Sequence, residues 1–171
     1  MFSGRFGNTT GRPYLEALVR LPRLKLESGV SFIVDTGADQ TVLMPTDALK
    51  MGVNYRKLRI GGPLIGIGGS CMSFTEQAIV VMSDEDRKIL FAYQVNLQIV
   101  DKKAAVTNHP YCASLLGRNI LDRLKMHYNA QDGKVTFTLL SADAILPLNS
   151  RDAKNLQKRV KSQIRGVILP D

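Results

Sequence analysis

Apolar residues in this chain come in short runs punctuated by Gly, Asp, Asn and Pro, and the run Val30–Val34 ends directly on Asp35-Thr36-Gly37-Ala38-Asp39. Runs of that length, rich in Val, Ile and Leu, favour many brief strands over a helical bundle, so the expected fold is mostly β. A strand that ends on Asp-Thr-Gly delivers a carboxylate to a tight turn, with glycine letting the backbone crowd the acid. Such an acid is one half of a two-carboxylate site, and no second Asp-Thr-Gly or Asp-Ser-Gly occurs in the sequence. Either a second copy of the chain supplies the other half, or the motif does no chemistry.

At 171 residues and 44% hydrophobic content, one good core is within reach. We expect a flexible N-terminal lead over 1–12, a folded domain over 13–140 and a basic, helical extension over 141–171. The net charge is +8, and Arg151–Asp171 holds six Lys or Arg against two Asp, about half of the excess. That surplus promotes solubility and weak attraction to polyanions, and by itself it does not make a nucleic-acid protein, so no nucleic-acid partner is expected. Cys71 and Cys112 are too few for a disulfide framework and show no metal-ligand spacing with His109 or His127, so neither metal nor cofactor is expected. Met1-Phe2-Ser3-Gly4-Arg5 lacks the apolar centre of a signal peptide and no run is long enough to cross a bilayer, which points to a cytoplasmic chain without membrane contact.

Along the chain, Tyr14–Val19 and Leu21–Leu26 read as strand material around Pro22, with Glu27-Ser28-Gly29 turning into Val30–Val34. Thr41-Val42-Leu43 is a short strand, and Thr46 is positioned to cap a helix over Asp47–Met51 that stops at Gly52. Gly61–Ser70 carries five glycines between strand-like flanks, the pattern of a mobile hairpin. Phe74–Met82 and Lys88–Val100 flank the acidic turn Ser83-Asp84-Glu85-Asp86, and Met126–Asn129 and Lys134–Leu140 flank Gln131-Asp132-Gly133, predicting two further hairpins. Ile120, Leu121 and Leu124 are spaced for a short helix, and Ala153, Leu156, Val160 and Ile164 for a longer one over Arg151–Arg165.

Three elements in one order, Val34-Asp35-Thr36-Gly37-Ala38-Asp39-Gln40-Thr41-Val42-Leu43, then Ile65-Gly66-Ile67-Gly68-Gly69, then Leu115-Leu116-Gly117-Arg118-Asn119-Ile120-Leu121, resemble the retroviral-type (retropepsin-like) aspartic proteases, in the manner of a cellular or bacterial relative. The resemblance spans roughly residues 13–129. It implies a single-lobe acid-protease fold with one or two short helices plus the C-terminal helix, and a homodimer that pairs one Asp35 from each subunit to hydrolyse extended protein segments. It assigns catalysis to Asp35 and support of the catalytic loop to Thr36, Gly37, Ala38, Asp39 and Arg118, with Thr36 bonding across the dimer and Asp39 pairing with Arg118. It assigns substrate contact to Gly37, to the flap residues Ile65, Gly66, Ile67 and Gly68, and to Leu115 and Leu116. Ala38 stands where many relatives carry a hydroxyl able to bond the carboxylate, so the expected optimum is about pH 5 to 6. In viral enzymes the chain ends soon after the strand matching Met126–Asn129, whereas here it turns at Asp132-Gly133 and continues. A protease-like dimer that binds peptides without cutting, and a polyanion-binding module on Arg151–Arg165, are the competing readings.

Overall fold

The computed structural model describes residues 1–8, 10–66, 69–104 and 112–148. Its strands are β1 Phe2–Phe6, β2 Pro13–Leu21, β3 Leu26–Val34, β4 Val42–Leu43, β5 Arg59–Gly66, β6 Gly69–Ser83, β7 Ile89–Val100, β8 Leu115–Leu116, β9 Leu124–Asn129, β10 Lys134–Leu139 and β11 Ala144–Pro147. Among the described residues two short α-helices, α1 Pro45–Lys50 and α2 Arg118–Leu121, interrupt them. All strands join one sheet in the order β5-β6-β7-β4-β8-β3-β2-β1-β10-β9, with β11 added on β7 and a second pairing of β6 on β2 that folds the sheet back over itself. Between those layers lies the core, in which Val19, Leu21, Phe32, Leu43, Val80, Tyr93, Leu97, Ile99, Leu116, Ile120, Val135 and Phe137 are completely buried.

The mostly β expectation holds, and its departures have local causes. The first hairpin turns at Pro22–Leu24, where Pro22 starts a single 3₁₀ turn and Lys25 takes a left-handed backbone (φ 58°). Glu27, Ser28 and Gly29, expected as the turn, lie within β3 opposite Arg20, Val19 and Leu18. Pro45 rather than Thr46 opens α1, because proline's missing N–H costs nothing at a helix start. Helix α2 begins two residues earlier than expected, at Arg118, and Leu124 already belongs to β9.

The flexible lead over 1–12 is a larger correction. Residues Phe2–Phe6 form a strand between β2 and β10, and the Phe2 ring stacks on Phe137 at 5.5 Å and lies 5.8 Å from Phe91. Burying one phenylalanine side chain contributes about 2–3 kcal/mol. Strand β11 extends the folded part past residue 140. The helix expected over Arg151–Arg165, and His109, lie outside the described residues. Among the described residues no helix is long and apolar enough to cross a membrane.

Candidate active site

Asp35 is placed by backbone, not by its side chain. Strand β3 runs parallel to β8, pairing Ile33 with Leu115 and Val34 with Leu116. The Ile33 N–H donates to Ser114 O at 2.8 Å and the Asp35 N–H to Leu116 O at 3.1 Å, so the acid sits one residue beyond a fully paired strand end. Its Oδ1 accepts the Gly37 N–H at 2.9 Å, and its own carbonyl accepts the Ala38 N–H at 3.3 Å. The side chain thus closes its own turn, as Asp does in Asx-type turns. Asp35 and Ala38 are half-buried, whereas Thr36 and Gly37 are exposed.

The far side of the turn is fixed by α2. The Arg118 N–H donates to Ala38 O (2.8 Å) and the Asn119 N–H to Asp39 O (3.1 Å). The Arg118 guanidinium pairs with the Asp39 carboxylate, and that pair offsets the unfavourable placement of a cation at a helix N-terminus. Both side chains are more than half exposed, so solvent screens the pair and its value lies in orienting the loop.

Under the turn lies a polar clamp that sequence reasoning missed. Thr41 is completely buried. Its N–H and its Oγ1 both donate to Asn119 Oδ1, at 2.9 and 2.7 Å, while Oγ1 accepts the Gly117 N–H at 3.2 Å. Gly117 is required by proximity: a Cβ there would stand 2.3 Å from Gln40 O and 2.8 Å from Thr41 N. Ser114, also completely buried, accepts the Met44 N–H at 3.0 Å and donates to Asp47 Oδ2 at 2.6 Å, joining β8 to α1. Thr41 reads as part of an apolar strand and Asn119 lies just ahead of the expected helix; the hint in the sequence is that a hydroxyl and an amide directly precede the apolar pairs Val42-Leu43 and Ile120-Leu121.

Strands β5 and β6 form the expected Gly-rich hairpin, pairing Leu64 with Cys71, Ile65 with Ser70 and Gly66 with Gly69. Ile65 is 84% exposed near its end, and Ile67 and Gly68 lie outside the described residues. Its base is tied down by Ser73 Oγ, which lies 2.8 Å from Gly62 O and 3.0 Å from Gln98 Oε1, and by Thr75 Oγ1 donating to Gln98 Oε1 at 3.1 Å. Leu64 and Cys71 pack with half-buried Leu115 on a small apolar cluster of Val42, Met44 and Val100. Leu116 is sealed in the main core, so of the adjacent leucines it is Leu115 that meets the hairpin. No three His, Cys, Asp or Glu side chains gather into a metal-holding group among the described residues.

Residues 10–83 match the family model described as aspartyl protease, a stretch that holds the Asp35 turn and the Gly-rich hairpin. A retropepsin-like aspartic protease from Rickettsia conorii matches with 21% identity and a TM-score of 0.51, over 85% of this chain and 92% of that one. The EIAV protease in complex with the inhibitor HBY-793 matches with 20% identity and a TM-score of 0.45, over 68% and 90%. No protein of curated function matches the sequence significantly. Residues 10–83 are therefore similar to the aspartyl protease family across the acid turn and hairpin, and the chain shares its single-lobe, mostly β fold with the rickettsial retropepsin-like enzyme.

Proposed function

We propose that two copies of the chain form a homodimer in which paired Asp35 carboxylates activate water to cut peptide bonds in extended protein segments. The observation that carries this reading is the turn that presents Asp35, the one Asp-Thr-Gly of the sequence. The acid stands on a rigid turn beside exposed Thr36 and Gly37, and the other acid of that turn, Asp39, is committed to Arg118. One carboxylate makes half of an acid–base pair.

Two carboxylates about 3 Å apart cannot both ionise, so a dyad shares one proton and titrates as a unit. The ionised member takes a proton from the trapped water as it attacks the peptide carbonyl, and the protonated member hydrogen-bonds the carbonyl oxygen as charge develops. Thr36 bonds across the twofold axis and holds the turns in register. Gly37 accepts a hydrogen bond from the peptide through its carbonyl. The hairpin from Ile65 to Gly68 closes over the peptide and excludes water, and Leu115 supports an apolar subsite.

Incubation with an unfolded protein between pH 3 and 8, with and without a statine-type inhibitor, tests the chemistry. Inhibitor-sensitive cleavage greatest at about pH 5 to 6 is expected. Asp35→Asn abolishes it while leaving the dimer intact; cleavage by that variant refutes the proposal, and a wild-type dimer that binds peptide without cutting it favours the binding module instead.

A further inference from the structure

Strand β5 opens the Gly-rich hairpin and is the outermost strand of the sheet, pairing with β6 and with no other strand among the described residues. Its pairing is broken once. Ile60 stands opposite Phe74 and Pro63 opposite Met72, so β5 carries one residue more than β6 between those pairs. Such a bulge bends its strand. The direction in which residues 63–66 project therefore depends on what fixes Arg59 and Ile60 below the bulge.

An ion pair stands at that point. Glu76 lies on β6 and is the one buried carboxylate among the described residues. A carboxylate taken out of water needs a cation and hydrogen-bond donors, and Glu76 has both. Arg23 Nε donates to its Oε2 at 3.0 Å, and Arg23 Nη2 bonds its Oε1. The N–H of Arg59, the first residue of β5, reaches the same Oε1 at 3.4 Å. Arg23 Nη2 also donates to the Lys57 carbonyl at 2.6 Å, at the end of a 3₁₀ turn over Tyr55–Lys57 that leads into β5. Arg23 itself belongs to the Pro22–Leu24 turn between β2 and β3. One guanidinium and one carboxylate thus tie the first turn of the sheet to the chain on both sides of Leu58, where the hairpin begins. The Glu76 side chain is 2% exposed and that of Arg23 39%, so the pair is sealed at its acidic end and open at its basic end.

We infer that Arg23 and Glu76 are positioning residues for peptide binding: their pair fixes the root of β5 and so sets where the hairpin stands over the peptide. The inference rests on the proposed closure of the hairpin over a peptide and names what holds the hairpin in place. Neither side chain touches the Asp35 turn; the pair acts through β5. Arginine suits the task and lysine does not, because a planar fork reaches the carboxylate and the Lys57 carbonyl together, whereas an ammonium is a point charge. A pair that served stability alone would be dispensable, since apolar side chains of similar size replace buried ion pairs at little cost.

Arg23→Met combined with Glu76→Met removes both charges at once and is expected to keep the wild-type far-UV spectrum and melting profile. In hydrogen exchange read by mass spectrometry, amides over 59–66 are expected to exchange at least about tenfold faster, with those of β7 unchanged. With a peptide substrate KM is expected to rise at least about fivefold and kcat to change less, because the acid turn is left intact. Arg23→Lys is expected to recover part of both effects. Glu76→Gln, close to isosteric, serves where the double variant does not fold, with the same local change expected to a smaller degree. A folded double variant with wild-type exchange over 59–66 and wild-type KM overturns the inference, as does Glu76→Gln with unchanged exchange. Faster exchange spread equally over β5 and β7 assigns the pair to general stability and overturns it as well. A wild type that cleaves nothing overturns the proposed function, while exchange over 59–66 still decides the anchor.

Discussion

Asn119→Ala removes the acceptor at the centre of the clamp beneath the acid turn. Asn119 Oδ1 takes two hydrogen bonds from the completely buried Thr41, and the smaller side chain leaves the Thr41 amide and hydroxyl facing a gap. A buried donor stripped of its partner costs about 1–3 kcal/mol. Water entering the gap recovers part of this, which sets the expected loss at about 2–4 kcal/mol. With about 2.1 cal/mol/K of unfolding entropy per residue over 171 residues, that corresponds to a fall in Tm of about 6–11 °C. Thermal denaturation followed by circular dichroism, at one fixed protein concentration because dimerisation itself shifts Tm, measures it. Below that Tm, kcat is expected to fall more than KM rises, because the clamp sets the position of Asp35 and touches no substrate. A Tm within about 2 °C of wild type, with kcat unchanged, refutes the reasoning.

Gly117→Ala drives a Cβ into the Gln40 carbonyl at 2.3 Å, so backbone must move; a loss of at least about 2–3 kcal/mol in urea denaturation is expected, and a loss below about 1 means that the loop yields freely. Asp143 is held below the usual carboxylate range chiefly by Arg123 and then by the Gln94 N–H, so its contribution to stability is complete above the unfolded pKa near ~3.9 and is lost as pH falls through the folded value. Asp143→Asn is therefore expected to lower stability at neutral pH and to flatten its decline below about pH 4, as read by Tm against pH. Burial pushes Tyr93 up to about 12, so the fold loses stability as pH rises from about 10 towards that value. Its hydroxyl is buried without a hydrogen-bond partner among the described residues, and Tyr93→Phe is expected to match or exceed wild-type stability at neutral pH while flattening the alkaline decline; a loss above about 1 kcal/mol at neutral pH contradicts this.

Legibility from sequence followed the range of the interaction. The acid turn, the Gly-rich hairpin and the turns at Ser83–Asp86 and Gln131–Gly133 were readable because each is announced by residues within a few positions of one another. In the last of these, Gly133 takes a left-handed backbone (φ 62°) as the motif requires. The first turn was misplaced because Gly29 carries a turn's composition, yet pairing with Leu18 holds it in a strand. The N-terminal strand was missed for the opposite reason: its Gly, Asn, Thr and Arg neighbours look unstructured, and Phe2 is held by Phe91 and Phe137, far along the chain. Thr41 and Asn119 are 78 positions apart, and no local pattern announces that one hydroxyl and one amide will meet.

The two-residue strand β8 lies between β3 and β4, so the acid's perch is completed by chain that is made late. A ribosome that has released β3 and the Gly-rich hairpin has not yet supplied the strand that seats the acid. Asp35 acquires a seat once Ser114–Asn119 has emerged and slotted in. The order of the strands alone thus postpones the seating of the acid until most of the sheet has been made.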